Sequence, residues 1–165
     1  MAVHSIRQLG DPVLRLKAKQ VTKIDGSIQL LIEDMIESMQ AASGVGLAAP
    51  QIGASLRVIV IGLPEEEPFA LINPKIVKRS GHRLLEEGCL SVAGYRAEIT
   101  RSRTVIAKGL DRHGKPMRIK AVDNLLAQAL EHEVDHINGV LYIDSLESLD
   151  QLQKVEVEQA STSGG

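Results

Sequence analysis

His132 and His136 stand four residues apart in the segment His132-Glu133-Val134-Asp135-His136. On a helix that spacing projects both imidazoles from one face, where they can share a tetrahedral cation, and Glu133, one step round, can reach a water on it. Such a cation lowers the pKa of its water from about 16 to about 7. A carboxylate beside it can take the released proton and return it to a leaving group, which is the chemistry of hydrolysis. The competing reading is a solvated helix face, on which Glu131, Glu133 and Asp135 are ordinary surface charges. Against it, Leu125, Ala129, His132 and His136 share one stripe, the face that a helix buries.

Two histidines leave a catalytic centre about one protein ligand short. The run from His132 to Tyr142 follows the spacing of the metzincin proteases, except that Tyr142 stands where their third histidine belongs, which disfavours that class. A thermolysin-like centre would draw on a downstream glutamate, but Glu147, Glu156 and Glu158 lie in a polar segment and read as solvated residues. Cys89, the one cysteine and therefore without an intramolecular disulfide, is the stronger option. It lies in Glu87-Gly88-Cys89-Leu90-Ser91, where a glycine lets the backbone approach closely and a cation would stabilise the thiolate. A buried structural thiol is the alternative at this position. A third segment, Gly44 to Gly53, is made of small residues between a helix and a strand, so it brings backbone close to something. It has neither a third glycine opening a helix nor Gly-Lys-Ser/Thr, so phosphate binding is a weak reading and a tight structural crossing is favoured.

The elements that must position these segments follow from periodicity. Ile28, Leu31, Ile32, Met35, Ile36 and Met39 form a helical stripe ending before Ser43-Gly44. Arg57 to Gly62 and Phe69 to Ile72 read as strands, and Thr104 to Leu110 with Met117 to Val122 read as a hairpin across Asp111 to Pro116. A second helix is predicted to open at Asp123 or Asn124 and stop at Asn138-Gly139, carrying the histidine pair. Beyond it we expect a strand over Val140 to Ile143, a short helix through Leu146, Leu149, Leu152 and Val155, and a disordered tail at Ser161 to Gly165. Strands mixed with helices, without βαβ alternation, predict an α+β fold.

The chain has 165 residues, 44% hydrophobic and 24% charged, which suits one domain with one active site. A formal net charge of -2 gives no reason to expect nucleic acid as a partner. With no Trp, one Phe and two Tyr, the core must be aliphatic, and a stacking platform for single strands is not expected. No apolar run approaches the roughly 20 residues of a membrane span, and Met1 to Leu16 carries charges where a signal peptide would be apolar, so a cytoplasmic location is expected.

Taken together and in order, the three segments resemble the peptide deformylase family. Gly44 to Gln51 is similar to that family's Gly-x-Gly-x-Ala-Ala-x-Gln, Glu87 to Ser91 to its Glu-Gly-Cys-x-Ser, and Gln128 with His132 to His136 to its helix motif ending His-Glu-x-Asp-His. The resemblance extends from Asp11-Pro12-Val13-Leu14-Arg15 to about Asp144. It implies a single catalytic domain over residues 1–159, built of antiparallel sheets packed around a central helix, with residues 160–165 as tail. The implied activity is hydrolytic removal of the formyl group from the N-terminal formyl-methionine of newly made polypeptides. Carried over residue by residue, it implies a divalent metal on Cys89, His132 and His136, with Glu133 as general base and then acid. The Gln51 amide and the Leu90 backbone N–H would stabilise the oxyanion. Ferrous iron is the implied metal, with zinc, nickel or cobalt accepted. The substrate would pair as an added strand with backbone around Val45, Gly46 and the Glu87 to Val92 segment, and Val45, Glu87, Arg96, Leu125 and Ala129 would line a methionine pocket. Gln128 reads instead as a capping or bridging amide.

Three departures from the family pattern stand out. Ala93 replaces a common proline, Glu131 replaces a common glutamine, and around Lys154 the acidic residues Glu147, Asp150, Glu156 and Glu158 argue against a transient ribosome contact through a basic tail. A monomer without membrane or direct nucleic-acid partners is expected, and His4, His82 and His113 read as solvated loop residues.

Overall fold

Helix α1 (Gly26–Ala41) begins where Asp25 turns its carboxylate back onto the N–H groups of Ser27 and Ile28. Its stripe of Ile28, Ile32, Met35 and Met39 then meets apolar strand residues. The computed structural model describes residues 2–155. After α1 come β1 (Gly46–Ala48), β2 (Val58–Ile61), β3 (Phe69–Ser80), β4 (Arg83–Gly88), β5 (Tyr95–Arg101), β6 (Thr104–Leu110) and β7 (Pro116–Val122). Helix α2 (Leu125–Ile137) follows, and β8 (Gln153–Lys154) closes the described chain. The fold is α+β, as expected.

All pairing is antiparallel within two sheets, ordered β1-β2-β3-β6-β7 and β4-β5-β8. The run Val58-Ile59-Val60-Ile61 is apolar throughout because both faces of β2 are covered. Val58 and Val60 pack with α1, whereas Ile59 and Ile61 pack with Ala127, Leu130, Val134 and Ile137 of α2. The other side of α2 faces β4 and β5, so this helix is central and carries its motif between two sheets. No helix among the described residues is long and apolar enough to cross a membrane.

Several expectations need correction. Strand β3 runs through Asn73-Pro74 to Ser80, because a bulge between Ile72 and Lys75 lets pairing to β6 resume beyond the proline. Val140 to Ile143 is not a strand: Asp144 accepts the Leu141 N–H at 3.0 Å and pairs with Arg15 at 2.7 Å, coiling Tyr142–Ser145 into a 3-10 turn. The helix expected from Leu146 to Val155 is instead a turn at Leu149–Gln151 followed by β8, whose Gln153 and Lys154 pair with Arg96 and Tyr95. His4 is an exposed loop residue, anchored there by its N–H donating to Ser38 Oγ at 2.8 Å and its ring meeting Asp34 at 3.0 Å. Glu156, Glu158 and the tail expected at residues 160–165 lie outside the described residues.

Of the two possible caps of α2, Asn124 is the one used, its side chain accepting the Ala127 N–H at 2.9 Å. Gly139 ends the helix at φ 76, with a hypothetical Cβ only 2.6 Å from the Arg15 carbonyl oxygen. Gly139→Ala is therefore expected to lower stability by about 1–3 kcal/mol, read from the urea midpoint, because both the conformation and the space exclude a side chain.

Candidate active site

Helix α2 buries a face that is polar as well as apolar. His132 and His136 are 9% and 1% exposed, and Glu133 is 4% exposed, so the solvated-face reading fails for all three. Glu131 is also buried but points away, accepting from the Ser102 N–H at 2.7 Å and from Arg79 at 3.0 Å. Asp135 accepts from Arg101 at 2.8 Å.

The Cys89 segment arrives from the end of β4. Its Sγ lies 3.2 Å from His136 Nε2, which in turn lies 3.2 Å from His132 Nε2. Donor atoms of the three side chains lie within 4.8 Å of one another. Two nitrogens on a tetrahedral ion at ordinary bond lengths are about 3.3 Å apart, so the spacing suits a shared metal. The tautomer suits it as well: His132 Nδ1–H donates to Glu87 Oε2 at 2.6 Å, which leaves the Nε2 lone pair facing the other donors. Tyr142 stays out of this set. Its ring stacks on His132 at 6.3 Å, its hydroxyl donates to the Tyr95 carbonyl at 3.4 Å, and burial pushes its phenol up to about 12.

Glu87 is held by three partners. Arg101 Nε and Nη2 grip its two oxygens at 3.0 and 2.6 Å, Gln128 Nε2 donates at 3.1 Å, and His132 supplies the fourth contact. Burial alone would raise its pKa, but the hydrogen bonds from His132 and Arg101 outweigh it and hold the carboxyl near 2. Glu133 lacks such donors. Burial, reinforced by the negative charges of Glu87 and Asp135 against the opposing effect of His132 and Arg101, pushes it up to about 7. Its Oε1 has no hydrogen-bond partner among the described residues. A carboxylate poised near neutrality in a buried site is suited to move a proton in either direction.

Gln51 reaches the centre from the small-residue segment. Its Oε1 accepts the Ala48 N–H at 2.9 Å, which orients the amide so that Nε2 faces Ser91 Oγ at 3.1 Å and Cys89 Sγ at 3.8 Å. The same segment explains one of its glycines: a Cβ on Gly46 would sit 2.6 Å from Glu133 Oε2. The close approach inferred from sequence is thus to the carboxylate of α2.

A cavity of about 320 Å³ opens beside this cluster. Val45, Gly46, Leu90 and Ala129 line it together with Glu87, Cys89, His132 and Glu133, while Arg96 and the 41%-exposed Leu125 stand at its rim. Arg96 also pairs with Glu86 at 3.1 Å. The edges of both sheets converge on this space, because β1 is terminal in one order and β4 in the other.

The residues 3–152 match the family model for polypeptide deformylase. The chain belongs to the polypeptide deformylase family. A peptide deformylase from Dehalococcoides mccartyi strain CBDB1 is 58% identical over 156 residues, covering 94% of this chain and 93% of that relative. The solved deformylase structure from Legionella pneumophila is similar at a TM-score of 0.87 and 47% identity, over 91% of this chain and 89% of that one. The Ehrlichia chaffeensis deformylase in complex with actinonin gives 0.88 and 40%, covering 92% of each chain. The chain is accordingly an enzyme, a hydrolase of a family that uses a catalytic divalent metal.

Three contributors were missed in the sequence. Arg101 lies on a strand given no expectation, and Ser91 shows its role only through Gln51. Gln8 braces the cysteine segment by donating to the Leu90 carbonyl at 2.9 Å and accepting the Ala93 N–H at 3.3 Å. Alternation along Ala97-Glu98-Ile99-Thr100-Arg101 could have placed Arg101 on a buried strand face, whereas Gln8 and Ser91 carry no periodic signal.

Two outcomes follow from the geometry. Glu87→Gln leaves Arg101 short of a buried counter-charge, and a loss of about 3–5 kcal/mol is expected in urea denaturation. Gly46→Ala should leave the melting temperature close to that of the parent, since only the end of a flexible side chain must yield. Steady-state assays should nonetheless show kcat lowered at least tenfold, a size consistent with displacing an acid–base group.

Proposed function

We propose that this enzyme removes the formyl group from N-terminal formyl-methionine using Cys89, His132 and His136 to hold one divalent metal. The observation that carries the reading is the convergence of these donors with Glu133 and Gln51 beside a cavity flanked by two strand edges. Ferrous iron is the ion we assign, with zinc, nickel or cobalt able to occupy the same donors. When bound, the ion supplies Lewis acidity and makes a water acidic near neutral pH.

The remaining work falls to the protein. An extended peptide enters as an added strand, its backbone pairing with Val45 and Gly46 on one side and the Glu87 to Val92 segment on the other. Its methionine side chain lies among Val45, Leu125 and Ala129, with Arg96 at the rim. As water attacks the formyl carbon, Glu133 takes the proton. The carbonyl electrons move onto oxygen, where the Gln51 Nε2–H and the Leu90 N–H donate to the developing charge. Glu133 then hands the proton to the departing amine, and formate leaves. Glu87 and Arg101 hold His132 in one tautomer throughout.

All of these side chains come from one chain, which supports a monomer. Newly made formylated chains as substrate support a cytoplasmic location. Protein loaded with iron, nickel or cobalt is expected to release formate from formyl-Met-Ala-Ser, and Glu133→Ala to keep its metal while losing about 10²–10⁴-fold in kcat. Absence of formate with every one of these metals overturns the reading.

A further inference from the structure

Among the described residues, part of one sheet face has no helix on it. Helix α1 covers the face to which Val58, Val60, Ala70 and Ile72 point, and beyond the Ile72–Leu110 pair that face continues across β3, β6 and β7. Directly paired residues of antiparallel strands point to the same side, so the register states what is displayed there. Lys75 stands opposite Lys108, and Lys108 opposite Arg118. In the next row Lys78 and Lys120 flank Ile106. All five cations are exposed, and the three strands contain no Asp or Glu.

Like charges opposite one another destabilise a sheet, and here they stack twice across three strands. None of the five cations has an ion pair among the described residues. Elsewhere the chain matches its charges closely, as in Arg15–Asp144, Arg101–Glu87, Arg103–Asp123 and Arg112–Glu33. A net charge of -2 therefore conceals a segregated cationic surface.

We propose that this face docks on the phosphate backbone of double-helical nucleic acid. Charge complementarity selects a polyanion, and strands about 4.8 Å apart make the array a rigid, roughly 10 Å wide patch over three strands. No aromatic side chain stands in these rows to stack on unpaired bases, so the surface suits a duplex rather than a single strand. Anionic membrane would call for several apolar anchors among the charges, and the exposed aliphatic residues there are two valines, Val77 at the bulge beside Lys78 and Val122 in the neighbouring row. The inference is independent of the proposed catalytic roles.

The test is fluorescence anisotropy with labelled RNA and DNA duplexes of one sequence, about 16 base pairs long, titrated with full-length protein at several salt concentrations. Binding to RNA alone, DNA alone or both supports the proposal and identifies the source of phosphate. Lys75→Gln/Lys108→Gln/Arg118→Gln is expected to weaken binding at least tenfold and to flatten the salt slope by about one per cation removed. The charge-keeping variant Lys75→Arg/Lys108→Arg/Arg118→Lys should bind like the parent. Turnover of formyl-Met-Ala-Ser should be unchanged, and the glutamine variant should melt no lower than the parent because opposed like charges are gone. If that triple variant does not fold, Arg118→Gln alone must still flatten the slope by about one. No salt-dependent binding to either duplex, undiminished binding by the glutamine variant, or a preference for phosphatidylserine vesicles over both duplexes overturns it.

Discussion

The contact on which most else depends is the buried carboxylate of Glu87. It joins two neighbouring strands to a helix distant in sequence: β4 provides it, Arg101 of β5 grips it with two nitrogens, and His132 of α2 donates to it. Such a charge is costly to bury alone and favourable only when its lone pairs are filled. Arg101 makes the arrangement rigid, because its remaining nitrogen reaches Asp135 on the same helix as His132. The smaller sheet and the central helix are thus fastened at the point where imidazole orientation matters. Glu133, one residue along, is deprived of equivalent donors and behaves oppositely: burial raises one carboxyl, while donors that fill the lone pairs of the other overcome burial and lower it.

Much of this was legible along the chain, for particular reasons. The histidine spacing, the Asn124 cap and the apolar stripe of α2 are local signals, and local signals survive folding. So does the all-apolar run of β2. Strand β4 was not legible, because Leu84-Leu85-Glu86-Glu87 has no alternation and its register comes from pairing with Ala97 to Thr100, whereas the alternation of β5 was present in the sequence and was overlooked. The leucine series at 146, 149 and 152 imitates a helix, yet β8 is drawn out by Tyr95 and Arg96, far away in the sequence. Val140 to Ile143 likewise has strand composition, but the Asp144–Arg15 pair bends it. In each case a long-range contact prevailed over intrinsic preference.

Bulk charge was the least informative quantity. A composition near neutrality is compatible with nearly complete pairing in one region and none in another, and only strand register distinguishes them. Gly46 shows the same limit on a smaller scale. Its smallness announced a close approach, whereas the identity of the neighbour, Glu133, required the fold.

The two sheet edges that flank the cavity have a consequence for solubility. An open edge is a template for any extended chain, including another copy of the same protein. Here β1 is three residues long, and β4 presents Arg83 and Glu86 along its six. Short in one case and charged in the other, these edges make a poor template for a ladder with a second copy.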